Sequence, residues 1–509
     1  MNPDTAELAI VDPASELVVP FEPEMAVWRP RAAARQARSA LLARLRGLEE
    51  SRAIAVRDSW RALWCSRLLV WAAGVGALLA FGFGPARNAL NPPGLTRGFG
   101  WLGDLLAAPA ARWDASWYLV IAHYGYRPDL GVFTAARTAF FPLYPLGLRA
   151  IASLGTPPVL AGVLLSLAAF ALALYGIHRL TTLELVRAGR GALSYGRAAE
   201  AARLAVLLTA FAPMAFFFSA VYSESLYLAL SVGLFWSARH GRWAWVGVLG
   251  ALAAATRSTG LVLALPALMI YLYGPREDRP ADRPREAAGA RAPAATIATR
   301  GARAKLALAV LDLRSRLQPR YKLRRELLWL GLLPAGVLAY GGALALAGGN
   351  PLAPLFAQDD WGRHFAGPYV GVLEGARAAF EGARQLLSFQ RHDIYFPTAG
   401  GSPFVDAGHN LILFAFLLAA VPAIVGVVRR LPLAYGAYVI AALALPLSDP
   451  VSAQPLMSLP RFLAVLFPLN IWLARWLSAR PRAQRPAIVL CGLLMALFGA
   501  QFATWHWVA

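Results

Sequence analysis

Arg112-Trp113-Asp114-Ala115-Ser116-Trp117-Tyr118 sets one carboxylate among aromatic rings, between strongly apolar segments, and Ala139-Phe140-Phe141-Pro142-Leu143-Tyr144-Pro145 follows it. An ionisable group beside hydrocarbon is costly to keep, so its presence there marks a functional candidate. A carboxylate so placed can take the proton from an attacking hydroxyl as a general base. Asp before Ala-Ser-Trp-Tyr also suits the N-cap of a short helix, and the spacing leaves both roles open for Asp114. Trp113 and Trp117, four apart, share a face of any helix formed here. They either flank the carboxylate as substrate-binding surfaces or belong to an interfacial aromatic belt.

Two arginines stand at breaks in apolar runs: Arg257 in Thr256-Arg257-Ser258-Thr259-Gly260, and Arg461 in Ser458-Leu459-Pro460-Arg461-Phe462. A guanidinium can grip a phosphate through a two-pronged fork, and these two are the candidate donor-phosphate ligands. Each taken singly also suits an arginine reaching to lipid headgroups. Glu224, at Tyr222-Ser223-Glu224-Ser225, either orients an arginine or caps its helix. Tyr222, Gln358 and Trp361 complete the candidate substrate-binding set. For Gln358 and Trp361, as for His123, Asp129, Arg363 and His409, a structural or solvated role competes. No pair has metal-site spacing, although a divalent metal ion stays open as a cofactor. Cys65 and Cys491 fall in apolar runs and read as inert thiols. Glycine-rich phosphate loops, HExxH and GxSxG are all absent, which argues against nucleotide binding and the common hydrolases. A carboxylate, arginines and aromatic faces suit transfer from a lipid-phosphate-linked donor.

The elements that must position these residues are membrane helices. Of 509 residues 58% are hydrophobic and 15% charged, against about 25% charged in soluble domains. The net charge of +21 comes from arginines in short loops between apolar runs, the mark of membrane topology rather than of nucleic-acid binding. Residues 1–30 read as a disordered acidic tail rather than a cleavable signal. Residues 31–58 read as a basic amphipathic cytoplasmic helix, on an anionic leaflet or simply solvated. Spans are predicted near 62–83, 157–177, 204–220, 224–238, 327–347, 407–428, 433–447, 460–477 and 486–504. A pair of short helices over 243–273 breaks at 256–260, because a single span would be too long. The total is about eleven spans within a 60–509 catalytic domain. Two long outer loops, 84–138 with Asp114 and 349–405, carry interfacial helices, as does the short apolar stretch 139–153, and an Arg-rich cytoplasmic loop covers 275–326. The basic segment before the first span puts the N-terminus in the cytoplasm and Asp114 outside.

The blocks 112–115, 121–122, 125–126, 139–145, 222–226, 256–260, 459–462 and 467–468 together resemble the PIG-V-type mannosyltransferases, polytopic enzymes of the GT-C fold. The resemblance covers about residues 60–480 in order. It implies an all-α, GT-C-like fold of 10–12 transmembrane helices, a polyprenyl- or dolichyl-phosphate mannose donor, Asp114 as catalytic base, and inversion at the sugar carbon. Some GT-C enzymes need a divalent metal. Eukaryotic members act on glycosylphosphatidylinositol precursors, whereas the Ala/Arg/Gly-rich composition here points to a bacterial homologue in the cell membrane, with a lipid or cell-envelope glycan as acceptor. The family's acid after Gly125-Tyr126 has only a loose match in Asp129.

Two other classes compete. A transporter or flippase of lipid-linked sugars also has broken helices and buried charges, but it would show hydropathy repeats and midplane charges, whereas these charges cluster in outer loops. A non-catalytic scaffold subunit would leave the Asp114 loop without a purpose.

Overall fold

The structure, a computed structural model, describes residues 30–84, 90–126, 134–187, 193–282, 318–389 and 402–508. The acidic tail, residues 127–133 with Asp129, and most of the Arg-rich loop lie outside the described residues. Two compact units are distinguished, Met1–Ile54 and Ala55–Ala509, and the second holds every residue of the candidate site.

The protein is an all-α polytopic membrane protein; no β-strand occurs among the described residues. Five helices are each long and apolar enough to cross a bilayer: Glu49–Phe81, Pro158–Val186, Arg325–Leu346, Phe404–Arg430 and Pro481–Ala503. The other expected spans are met as shorter pieces. Where expectation and structure differ, local chemistry gives the reason. The basic segment and the first span form one helix, Pro30–Phe81, because Ala, Leu and Arg dominate it and no proline interrupts it. The helix expected over 204–220 stops at Ala210, three residues before Pro213, which blocks the α conformation of its predecessor. Its freed carbonyls are met from the first span: Arg67 donates to the carbonyls of Ala210 (3.0 Å) and Ala215 (2.6 Å) and to Ser219 Oγ (3.0 Å). The run expected over 460–477 is two helices, Leu459–Ala464 and Phe467–Ser478, with Pro468 at the start of the second.

The break expected at 256–260 is present. Trp243–Thr256 ends, Arg257 is extended (φ −158°, ψ 150°), and Ser258–Leu263 forms a 3₁₀ turn before Ala264–Tyr273. Gly260 lies against the Ala253 backbone so closely that a Cβ would overlap it, so only glycine lets the turn fold back here.

Both long loops carry short helices with exposed apolar faces. Gly100–Ala107 exposes Trp101, Leu102 and Leu106. Pro368–Ser388 buries Gly371, Gly375, Ala378 and Gly382 on one side and exposes Tyr369, Leu373, Phe380 and Leu387 on another. Such a helix suits the membrane interface.

The core is aromatic and hydrogen-bonded at its polar tips. Tyr144 donates to the Gly162 carbonyl (3.0 Å) and meets Ser166 Oγ (2.8 Å), and Ser166 donates to the Ala220 carbonyl (2.8 Å). Val221 N–H donates to the Ala110 carbonyl (2.9 Å). The last of these bonds fastens the segment 219–223 to the loop that precedes Asp114.

Close backbone packing makes a measurable prediction. A Cβ at Gly336 would overlap the Ala251 carbonyl, whereas one at Gly342, on the same Ala335–Leu346 helix, meets nothing within 4 Å. Gly336→Ala is expected to destabilise by about 1–3 kcal/mol, and Gly342→Ala to be neutral or slightly stabilising. Thermal melts of the purified protein in detergent test this; equal melting temperatures for the two variants would refute the packing.

Candidate active site

Asp114 sits at the N-cap position of the Ala115–Tyr124 helix, but its side chain makes no capping hydrogen bond. The carboxylate instead turns to Arg461, whose NH1 donates to Asp114 Oδ2 at 2.7 Å. Its backbone is fixed from the other side: Asp114 N–H donates to Tyr222 Oη (3.0 Å), and Tyr222 Oη donates to the Arg112 carbonyl (3.1 Å). One buried tyrosine hydroxyl thus clamps the peptide on both sides of Trp113.

Glu224, only 1% exposed, begins the Glu224–Arg239 helix. A carboxylate at a helix N-terminus is favoured by the helix dipole. Burial on this scale also demands cationic partners, and it has two. Arg257 NH1 donates to Glu224 Oε1 at 2.8 Å, and Arg461 Nε lies 3.3 Å from the same oxygen. The second contact is an ion pair without hydrogen-bond alignment, and Glu224 Oε2 is buried with no hydrogen-bond partner. The result is one chain, Asp114–Arg461–Glu224–Arg257, built from four distant segments. Aromatic rings enclose it: Phe462 lies under both guanidiniums (5.4 and 5.8 Å), and Phe217 and Tyr222 lie near Arg461.

Trp113 takes a positive φ of 55°, which is uncommon for a bulky residue. It is held there by edge contacts with Trp505 (5.6 Å) and Trp507 (5.1 Å). Trp117 stacks on Phe140 (5.6 Å, 15°), so the Ala139-Phe140-Phe141-Pro142 block directly supports the Asp114 loop. Tyr118 Oη meets Ser223 Oγ at 2.9 Å; burial first, then Glu224, raises its pKa to about 12, against the opposing pull of Arg257, Ser223 and Arg461, so it stays a neutral hydroxyl.

The other candidates are placed as follows. Gln358 is exposed, and its side chain makes no contact with the ion chain among the described residues; the backbone of Trp361 ends a short 3₁₀ turn, Asp359–Trp361. His123 is exposed, and His409 is buried beside Gln454 (3.2 Å). Arg363, whose sequence context suggests only a structural or solvated group, is buried. Its NH1 and NH2 donate to the carbonyls of Asp449 and Met457, each at 3.2 Å. Among the described residues no three His, Cys, Asp or Glu side chains gather as a metal site.

A part-buried carboxylate framed by arginines and aromatic rings marks a candidate site on a polytopic fold. Residues 88–272 match the family described as mannosyltransferase (PIG-V), so the resemblance is borne out over that stretch. The match contains Asp114, Tyr222, Glu224 and Arg257; Arg461 lies beyond it and is joined to it by the structure. The chain is 33% identical over 182 residues to "GPI alpha-1,6-mannosyltransferase 2" of Rattus norvegicus, covering 34% of this chain and 35% of that protein. It is 33% identical over 174 residues to the Mus musculus protein of the same name, covering 32% and 31%. The aligned region thus spans about a third of the length of these relatives. No solved structure matches the chain.

Glu224 is the member on which both arginines depend. Glu224→Gln keeps the shape and removes the charge, leaving two guanidiniums short of an anion, and is expected to cost about 3–5 kcal/mol. Combining it with Arg257→Leu should cost less than the sum of the two single changes, by about 1–3 kcal/mol. Unfolding measurements on the four proteins give the coupling; strict additivity would show that the pair is not energetically linked.

Proposed function

We propose that the protein is an integral-membrane glycosyltransferase that moves mannose, or a related sugar, from a polyprenyl-phosphate-linked donor to a lipid or cell-envelope glycan acceptor. The active site is read as GT-C-like and as facing the outer side of a bacterial cell membrane, with the N-terminus in the cytoplasm. The observation that carries this reading is the Arg461–Asp114 contact at 2.7 Å. It brings a candidate base and a candidate phosphate ligand, 347 residues apart in sequence, into one place. The match to a mannosyltransferase family supports the sugar and the reaction class.

In this reading Asp114 accepts the proton of the acceptor hydroxyl as that oxygen attacks the sugar carbon of the donor. The bond from that carbon to the phosphate oxygen breaks, and the phosphate leaves with the electron pair. Arg461 and Arg257 are assigned to steady the negative charge on the departing phosphate. Trp113 holds the Asp114 peptide in place, and Trp117 with Phe140 offers an aromatic surface beside the helix that follows. Glu224 keeps both arginines in position without touching the reacting atoms.

The test is sugar transfer in purified membranes with labelled polyprenyl-phosphate mannose. Asp114→Asn keeps size and removes the base, and is expected to lower the rate about 100-fold or more with a melting temperature close to wild type. Near-full activity in the variant would reject Asp114 as the base. If wild type transfers nothing from this or other polyprenyl-phosphate sugars, the glycosyltransferase reading fails and the transporter reading replaces it.

A further inference from the structure

The charges of the site cancel before any substrate arrives. Asp114 and Glu224 supply two negative charges, Arg257 and Arg461 two positive ones, all joined by contacts of 2.7 to 3.3 Å. A phosphodiester approaching this set meets a neutral cluster. To engage Arg461 or Arg257 it must draw a guanidinium away from a carboxylate. Replacing one anion by another yields little net affinity, and it strands a desolvated carboxylate. A site that binds an anionic donor from the membrane needs a cation beyond its internal pairs.

The second long loop brings one. Arg363, 8% exposed, follows Gly362, which turns the chain through φ 66°. The loop is then fastened against residues 448–457. Arg363 forms a bridge with Val451, and Ala366 N–H donates to the Ser448 carbonyl at 2.7 Å. The guanidinium donates to the carbonyls of Asp449 and Met457. Met457 stands four residues before Arg461. Between them Ser458, at φ 67°, turns the chain into the Leu459–Ala464 helix. Arg363 and Arg461 are therefore rooted on either side of one short turn.

Arg363 differs from the two paired arginines in what holds it. Its fixed partners are carbonyl oxygens, which orient the group without cancelling its charge, and among the described residues no carboxylate stands at ion-pair distance from it. Asp449 and Asp114 attract it from further off, and Arg461 repels it. Burial, the largest influence, brings its pKa down to about 10. It is a full cation at neutral pH.

We infer that Arg363 is the cation that binds the phosphate of the lipid-linked donor, an inference that rests on the proposed glycosyltransferase reading. Arg363 is a third guanidinium, beyond the two that Asp114 and Glu224 hold at ion-pair distance, and it can face the single negative charge of a phosphodiester. A guanidinium has five N–H groups. Two carbonyls take two of them, and the remainder can fork onto phosphate oxygens. Arg461 and Arg257 then keep their carboxylates while the donor binds and meet the phosphate charge only as it develops during transfer, so initial donor capture falls to Arg363. The second long loop thereby acquires a role: it brings a cation to the turn that precedes Arg461.

The experiment uses the full chain in lipid nanodiscs and two probes: polyprenyl-phosphate mannose as donor and sugar-free polyprenyl phosphate as competitor. Arg363→Gln is expected to raise the donor KM and weaken competition by polyprenyl phosphate, each about tenfold to a hundredfold, with a much smaller change in kcat. Arg363→Lys, which keeps the charge and loses the fork, should recover part of both. The thermal stabilisation that polyprenyl phosphate confers on wild type should shrink in Arg363→Gln. Wild-type KM and competition in Arg363→Gln would overturn the assignment. So would a melting temperature that collapses in both variants, because Arg363 would then be only a tie between the loop and residues 449–457. If wild type itself neither transfers from the donor nor is stabilised by polyprenyl phosphate, the underlying reading fails rather than the assignment of Arg363 within it.

Discussion

A buried carboxylate must be matched by cations or not be kept at all, and Glu224 is the buried carboxylate that the rest of the site is arranged to match. It is 1% exposed at the start of a helix. Moving such an ion out of water costs several kcal/mol even after relaxation. Two guanidiniums on one oxygen answer that cost, and each comes from beside a break in the helical run. Arg257 is the extended residue between Trp243–Thr256 and the following 3₁₀ turn. Arg461 lies in the six-residue helix Leu459–Ala464. Asp114 stands where a tight turn becomes the Ala115–Tyr124 helix. Irregular backbone within a membrane protein is tolerated only where protein or a polar cavity satisfies it, and here the breaks and the charges satisfy one another.

The helix that begins with Glu224 ends in a second charge cluster. Arg239, fully buried, pairs with Glu184 (2.9 Å) and Glu277 (3.5 Å), and Tyr435 donates to Glu184 (2.7 Å). Next along the chain from Glu277, Arg276 lies over the rings of Trp243, Tyr271 and Tyr321. The ends of Glu224–Arg239 are about 22 Å apart at 1.5 Å per residue, and the side chains buried between them include Leu228, Val232, Leu234 and Phe235. A helix pinned by ion clusters at both ends cannot slide along its neighbours by a residue without stranding a charge at one of them. That fixes the height of Glu224, and through Glu224 the heights of Arg257 and Arg461. The acid at its N-terminus and the base at its C-terminus also complement its dipole.

Much of this was readable from the chain. Asp114, Glu224, Arg257 and Arg461 each stood out as a charge at the edge of an apolar run, and those four are the ones the structure connects. The break at 256–260 was forced by length alone. The connection itself was not readable, because spacing along the chain carries no information about which of several loop charges meet. Helix ends were misplaced where a hydropathy window runs on past a proline: Pro213 and Pro468 were in view, but the apolar residues around them read as continuous span. Arg363 was discounted because a lone arginine in a polar loop is usually solvated. Its burial depends on the fastening of residues 363–366 to 448–457, which is backbone pairing and has no local signature.

The two residues of the Arg461–Asp114 contact each follow a strained stretch of backbone. Trp113 precedes Asp114 at φ 55°, and Ser458 precedes the helix of Arg461 at φ 67°. Such conformations cost on the order of 1–3 kcal/mol each and persist only where the surroundings over-determine them. For Trp113 the surroundings are visible. Tyr222 bonds the peptides on both sides of it, Trp505 and Trp507 hold its ring, and Arg112 Nε donates to the Ala503 carbonyl at 3.0 Å with its guanidinium over Trp505. For Ser458 the surroundings include Arg363, bonded to the preceding carbonyl of Met457. The strain therefore sits at the two turns that aim a carboxylate and a guanidinium at each other, and each turn is held by a different part of the chain. Relaxing either turn would move one partner of a 2.7 Å contact, so the segments 503–507 and 358–366, which lie far from Asp114 in sequence, govern the geometry of the site as directly as the residues within it.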